Sequence, residues 1–371
     1  MSQKCTQAPF RADHVGSFLR PDCLKSARAR ACRGEISSDE YRVLENEAVE
    51  GLIARQQIAG LQGVTDGEFR RSFWHLDFLE ALDGVESFQA EHGIAFKGGE
   101  TKPKGLKVTG KLGFPADHPF LSHFRFLKEH STGTPKMMIP SPNMLHYRGG
   151  RKVIDPKLYP TMEDFFADLG ATYHDAVKAF CDLGCEYLQL DDTAFAYLCD
   201  ENQRQMLRDR GDDPDQLLDV YTSLINAAIS GKKPGARVTM HICRGNFKSM
   251  WIAEGGYEPV AEALFSRTCI DGYFLEFDTE RAGGFEPLRF VPKHKKVVLG
   301  LVTTKSGELE SKDELLRRID EASEFINVDQ LCLSPQCGFA STEEGNLLGE
   351  DEQWAKIELV QEVAEAVWGS R

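Results

Sequence analysis

Arg237-Val-Thr-Met-His-Ile-Cys243 is a short apolar run that ends in a histidine and a cysteine. It reads as a buried strand. Side chains of a strand alternate between faces, so residues 241 and 243 point the same way at its carboxyl end. Gln330-Leu-Cys-Leu-Ser-Pro-Gln-Cys337 is a second such run closed by a cysteine, and Tyr273-Phe-Leu-Glu276 is one closed by a carboxylate. Working outward, eight segments read as strands, at 11–16, 63–66, 136–140, 187–191, 238–243, 273–277, 297–302 and 330–334. Helical spacing of apolar residues predicts helices over 38–60, 162–183, 213–230, 258–266, 312–325 and 352–367.

Strands that alternate with helices imply a parallel sheet, and eight such units suggest an α/β chain folded as a single (β/α)8 barrel. The residues that follow the strands decide against an open doubly wound sheet. Glu68, Asp191, Asp192, His241, Cys243, Glu276, Thr303, Thr304 and Cys337 all stand after the apolar run of their strand. That is the face on which a barrel carries its chemistry, whereas an open sheet gathers its site at one switch point. Residues 88–114 break the rhythm with the glycines and alternation of a β-hairpin, expected as an insertion after the second strand that lies over the barrel. No Pro/Ser linker divides the chain, so residues 1–371 are expected to form one domain.

The formal net charge is −14. Such a chain repels nucleic acid and anionic membrane, so neither is an expected partner; a small molecule is. No run of about 18 apolar residues is present. Met1-Ser-Gln-Lys-Cys-Thr-Gln-Ala-Pro9 lacks the apolar centre of a signal peptide, and a cytoplasmic protein is expected. Ten irregularly spaced cysteines are too dilute for a disulfide scaffold and read as free thiols. Nothing in the sequence fixes the oligomeric state.

His241, Cys243, Glu276 and Cys337 end strands five, six and eight of this scheme, spacings that successive βα units bring to one rim. Together they form a candidate tetrahedral zinc site. A bland account has Glu276 capping a helix, Cys337 packing in the core and His241 bonding a carbonyl. It leaves a carboxylate and a titrating ring beside two buried thiols with no common partner. Two thiolates quench the Lewis acidity of zinc towards water, yet such an ion can bind an incoming thiol and hold it as thiolate. Glu276 is the ligand able to yield its place.

These residues resemble the catalytic C-terminal half of cobalamin-independent methionine synthase, and its short, free-standing members more closely. The resemblance rests on Asp13-His-Val-Gly-Ser17, Thr65-Asp-Gly-Glu68, Leu188-Gln-Leu-Asp-Asp192, His241-Ile-Cys243, Glu276 and Pro335-Gln-Cys-Gly338, and covers nearly the whole chain. It implies a methyltransferase with Zn2+ held by His241, Cys243, Glu276 and Cys337, homocysteine as acceptor and a methyltetrahydrofolate-type donor. It further implies that Val15, Ser17, Glu68 and Asp191 hold the amino acid. Two carboxylates facing a substrate ammonium make physical sense, since an unpaired buried cation is costly. Helix capping by Asp191 and Asp192, or pairing of Glu68 with Arg70 or Arg71, are the structural alternatives.

On the donor side the chain departs from the family pattern. Longer members carry an N-terminal half that helps bind the polyglutamated folate, and the resemblance does not extend to it. Tyr147, preceded by His146, stands where a Trp packs on the folate. Where the seventh strand of the family ends in an Asp and a His linked to proton delivery, this chain reads Gly300-Leu-Val-Thr-Thr-Lys-Ser306. Lys305 is then the candidate proton donor, or an anion-binding or solvated side chain. In Phe69-Arg-Arg-Ser-Phe-Trp-His75, Arg70, Arg71 and His75 could meet an anionic group of the donor and Phe73 or Trp74 its ring; an amphipathic helix running to Leu82 explains the same residues. Two other functions stay open: alkyl transfer to another small thiol, such as coenzyme M with an epoxide, and a non-catalytic barrel that binds zinc or a thiol.

Overall fold

The computed structural model describes residues 7–370; the first six residues, most of the segment read for a signal peptide, lie outside it. In chain order come β1 (Gly63–Val64) and then an antiparallel ribbon of β2 (Asp83–Gln89) with β5 (Lys104–Gly113). Between the arms of the ribbon lies a small hairpin, β3 (Ala95–Phe96) with β4 (Gly99–Glu100). There follow β6 (Thr134–Pro140), β7 (Tyr187–Asp192), β8 (Arg237–Ile242), β9 (Gly272–Glu276), β10 (Lys296–Val302) and β11 (Leu331–Pro335). The parallel sheet runs β1-β6-β7-β8-β9-β10-β11 and curls on itself, an α/β fold. Its register sets Pro140 beside Asp191, Asp191 beside His241, and Glu276 beside Gly300, so the polar strand ends share one rim.

The strand expected at 11–16 is reduced to one bridge, Ala12 against Leu333. Asp13 N–H donates to the Leu333 carbonyl at 2.9 Å and Leu333 N–H to the Arg11 carbonyl at 2.8 Å. Beyond the bridge the segment bends at Gly16, whose φ is +136° and where a Cβ would run into Met138. Side chains make the contact with β1 instead. His14 Nε2 lies 2.9 Å from the Gly63 carbonyl, and Thr65 Oγ1 donates to the Gly16 carbonyl at 2.6 Å.

Helices cover the outer face of the sheet. Ser38–Ile58 starts with a capping box of Ser37 and Glu40, Met162–Asp182 is capped by Thr161, and Pro214–Ile229 by Asp213 with proline in the first turn. The helix expected at 258–266 is a short α turn, Glu258–Ala261, that widens into a π turn, Glu262–Arg267. Helix after His75 spans only Leu76–Leu79, and β2 begins where a longer helix was expected to end. Val238, Met240, Val297, Leu299, Leu331 and Leu333 pack against these helices, while Phe10, Tyr187, Phe274, Val298 and Cys332 form a separate buried cluster on the other face of the sheet. No helix among the described residues is long and apolar enough to cross a membrane, and no disulfide joins the cysteines described.

The ribbon begins at Asp83, before the expected 88. Its inner hairpin leans on the loop after β8. Lys97 N–H donates to the Trp251 carbonyl at 2.8 Å, and the rings of Phe96 and Phe247 pack at 5.4 Å.

Candidate metal centre

Each donor is fixed by the local backbone. Cys243 follows β8 and its N–H is held by the Asp192 carbonyl at 2.8 Å. Glu276 closes β9, its N–H taken by the Tyr257 hydroxyl at 3.0 Å. After β11, Gln336 N–H donates to the Val302 carbonyl at 2.8 Å and brings Cys337 to the same rim. The donor atoms of His241, Cys243, Glu276 and Cys337 all lie within 4.8 Å of one another, and all four residues are buried.

The set fits a tetrahedral ion. Cys243 Sγ is 3.5 Å from Cys337 Sγ; two sulfurs on one zinc sit about 3.8 Å apart from the usual bond lengths. Neither ring nitrogen of His241 has a nitrogen or oxygen partner. Such a buried orphan is what a ligand looks like without its ion. The hydrogen bond from the Cys243 thiol holds Cys337 well below the usual thiol range against the effect of burial, and pushes Cys243 up. Burial opposes charge on His241, yet the Cys337 sulfur raises its pKa. The arrangement therefore already favours an anionic sulfur.

The thiols and His241 open on a cleft that Val15, Glu68 and Asp191 also line. Glu68 sits at φ +60°, directly after Gly67 at +66°. A non-glycine residue in this region is strained, and such strain gathers at functional sites. Its Oε1 accepts from Arg71 Nη1 at 3.0 Å, while its buried Oε2 has no partner. Burial pushes the Glu68 carboxyl up to about 8 and that of Asp191 to about 6. Asp191 Oδ1 accepts from Gln189 Nε2, which also donates to the Val15 carbonyl, each at 2.7 Å. Asp192 is different: it caps the next turn by accepting from Phe195 N–H at 2.9 Å and takes Ser141 and Asn143 as further donors.

The cleft is also lined by aromatic rings, those of Phe73, Trp74, Phe96, Tyr197 and Phe247, together with Arg148. Tyr147 and His146 do not line it. Tyr147 is buried with its ring 5.2 Å from that of Tyr197, and His146 Nδ1 lies 2.8 Å from the Tyr221 hydroxyl. Ser17 does not line the cleft; its hydroxyl lies against Gly338, beside Cys337, and accepts from Ala340 N–H at 3.3 Å. Lys305 Nζ is also outside the lining, 3.4 Å from Asp278 Oδ2 and 3.9 Å from Glu276 Oε2. Arg70 pairs with Glu45 at 2.6 Å, and His75 is buried with its ring against Trp74. Sequence reasoning passed over Arg148, Tyr197, Phe247 and Asp278. Arg148 follows Tyr147 directly, and Asp278 is two residues beyond Glu276, a spacing that keeps to one face of an extended chain.

Residues 10–365 match the family described as cobalamin-independent synthase, catalytic domain. The chain belongs to this family. It is 49% identical over 369 residues to the uncharacterized protein YxjH of Bacillus subtilis (strain 168), which covers 99% of this chain and 97% of that one. The crystal structure of the putative vitamin-B12 independent methionine synthase from Listeria monocytogenes is similar at 43% identity and TM-score 0.79, over 98% of this chain and all of that one. A B12-independent methionine synthase from Shewanella sp. W3-18-1, solved in complex with selenomethionine, shares the fold at 20% identity and TM-score 0.72, over 96% of this chain and 97% of that one. The cobalamin-independent synthase match spans β1 to β11 and all four candidate metal donors.

Proposed function

We propose that this protein is a zinc-dependent methyltransferase that moves a methyl group from a methyltetrahydrofolate-type donor to homocysteine sulfur, giving methionine. One observation carries the reading: the thiols and imidazole of a four-donor cluster open on the same cleft as the carboxylates of Glu68 and Asp191. Membership of the cobalamin-independent synthase family supports it. The fold is read as a single-domain (β/α)8 barrel whose first strand is the segment at 11–16.

His241, Cys243, Glu276 and Cys337 would hold the zinc, which when bound supplies the Lewis acid that keeps an acceptor sulfur as thiolate at neutral pH. Glu68 and Asp191 take the acceptor ammonium. Both carboxyls are buried without enough positive charge to satisfy them, so a cation entering between them gains two partners at once. Val15 walls the acceptor side, and Ser17 fixes the turn that carries it. Trp74, Phe73 and Phe247 offer flat apolar faces to a donor ring, and Tyr197 is backed by Tyr147 and, deeper, His146. The aromatic wall and the inner hairpin also shield the reacting atoms from water.

The test is methionine formation, read by mass spectrometry, from homocysteine and 5-methyltetrahydrofolate carrying one or three glutamates. Product that disappears when zinc is stripped and returns when it is restored supports the reading. No methionine from either donor with zinc-loaded protein sinks it.

A further inference from the structure

Glu276 is a donor with a second home. Its side chain is completely buried and does not reach the cleft, so a carboxylate released there cannot find water. Its Oε1 accepts from Arg244 N–H at 2.8 Å. Its Oε2 faces two cations, Arg281 Nη2 at 3.3 Å and Lys305 Nζ at 3.9 Å. Asp278 holds both cations in place, 3.5 Å from Arg281 and 3.4 Å from Lys305, and is itself fixed by the Thr303 hydroxyl at 3.0 Å. Arg281 is braced further by the Ala253 carbonyl at 3.2 Å and by the Trp251 ring under its guanidinium.

Two cations therefore share two carboxylates, one of which also belongs to the donor set. When Glu276 serves as a ligand, Asp278 alone pairs directly with Arg281 and Lys305, a group of net charge +1 beside the donor set. We propose that Arg281 and Lys305 form an internal dock that receives the Glu276 carboxylate when a substrate sulfur takes its place among the four donors. The inference rests on the methyltransferase reading, in which a thiol enters that set. The other three donors have weaker alternatives or none: Cys243 Sγ accepts from Gly245 N–H at 3.3 Å and Cys337 Sγ lies 4.0 Å from the Ser341 hydroxyl. The two sulfurs face each other, and His241 has no oxygen or nitrogen partner to turn to. The dock makes Glu276 the exchangeable ligand, and gives Lys305 a positioning role in place of proton delivery.

A dock has a signature that an ordinary supporting contact lacks. Removing it leaves Glu276 a stronger competitor for the metal, so metal and thiol affinities move in opposite directions. Arg281→Gln and Lys305→Gln are prepared alone and with Glu276→Gln, with melting curves to establish folding. Zinc affinity is read by competition with a chromophoric chelator, and homocysteine affinity of the zinc-loaded proteins by calorimetry. Each single variant is expected to hold zinc at least as tightly as the parent and to bind homocysteine about tenfold more weakly, the low end for groups behind a metal ligand. With Glu276→Gln already present, either change should add less than about twofold, because no carboxylate remains to dock.

Zinc and homocysteine affinities that fall together, an undiminished thiol affinity, or an equal loss with and without Glu276 would each overturn the dock. A zinc-loaded parent protein that binds no homocysteine instead removes the methyltransferase reading beneath it, and is told apart by that control. If one substitution prevents folding, the other carries the test.

Discussion

Cys243 and Cys337 lie 94 positions apart in sequence and their sulfurs meet at 3.5 Å, one thiol donating to the other. No disulfide joins them. Two buried thiols this close, beside an imidazole with no nitrogen or oxygen partner, have the arrangement of half a tetrahedral metal site. Replacing either sulfur by oxygen removes the soft donor and changes the bond length. Cys243→Ser and Cys337→Ser are each expected to lower bound zinc from one ion per chain to background, measured by plasma mass spectrometry, while melting curves stay cooperative. Retention of stoichiometric zinc by both variants would remove the site from consideration.

How much of this was legible in the sequence differs from one wall of the cleft to the other. The donor set could be read because apolar runs that end in His-Ile-Cys, Glu and Cys mark buried parallel strands, and such strands deliver their last residues to one rim. The aromatic wall could not. Tyr147 was expected to face a donor ring, but it packs behind Tyr197, whose position depends on a short helix, Ala194–Tyr197, folded back over the rim. Phe96 arrives from a hairpin far away in the chain, and Arg281 reaches Glu276 from a single 3-10 turn, Glu280–Ala282, too short to show a period. The first strand was overread for a related reason. Its apolar pattern is present, but side-chain hydrogen bonds of His14 and Thr65 take the place of a backbone ladder beside β1, and one bridge to Leu333 is all the pairing that forms.

Glu68 should give up a proton when an amino acid binds. Burial lifts its carboxyl to about 8, so near pH 7 the free protein holds it mostly neutral. An ammonium placed beside it favours the carboxylate and expels the proton. Methionine binding, followed by calorimetry at pH 7 in buffers of different ionisation enthalpy, is expected to show release of nearly one proton, a release that falls as pH rises through about 8. Glu68→Gln should abolish the buffer dependence. The same raised pKa costs stability: its contribution is fully present below 4.5 and is lost as pH rises through about 8. Glu68→Gln is therefore expected to melt higher than the parent at pH 8, with the gap closing towards pH 4. A binding enthalpy independent of buffer in the parent protein would exclude Glu68 as the ammonium partner.

Gly338 is required by its neighbour. A Cβ added there would lie 1.9 Å from Ser17 Oγ and 3.1 Å from Ser17 Cβ, and Ser17 cannot retreat because its hydroxyl holds Ala340 N–H. Gly338→Ala is expected to cost about 1–3 kcal/mol in chemical denaturation, the range for forcing extra volume into a packed site. Since the nearest clash is with the hydroxyl, Ser17→Ala in the same chain should recover most of the loss. Additive losses in the double variant would show that the strain lies elsewhere.

Residues 11–16, with one backbone bridge, are held mainly by side chains. Lys136 and Asp13 are both completely buried, with Nζ 3.3 Å from Oδ1, and the same ammonium donates to the His14 carbonyl. It lies over the rings of Phe274 at 4.1 Å and Tyr187 at 4.7 Å. Asp13 in turn gathers the Tyr187 hydroxyl at 2.8 Å, Phe10 N–H at 3.0 Å and His14 N–H at 2.8 Å. This knot links the segment before Gly16 to β6 and β7, where one backbone bridge alone would be weak. Burial pulls the Lys136 pKa down while Asp13 opposes it, so the pair is held together against a large desolvation cost. Lys136→Met keeps the length of the side chain but leaves Asp13 charged among neutral donors. Unfolding in urea should then show a loss of about 3–5 kcal/mol, the usual cost of stranding one member of a buried pair. Asp13→Asn combined with Lys136→Met removes the stranded charge as well and is expected to be more stable than Lys136→Met alone. If the double variant is the weaker of the two, the neutral donors and not the ion pair hold the strand, and Asp13 acts as a hydrogen-bond hub without need of Lys136.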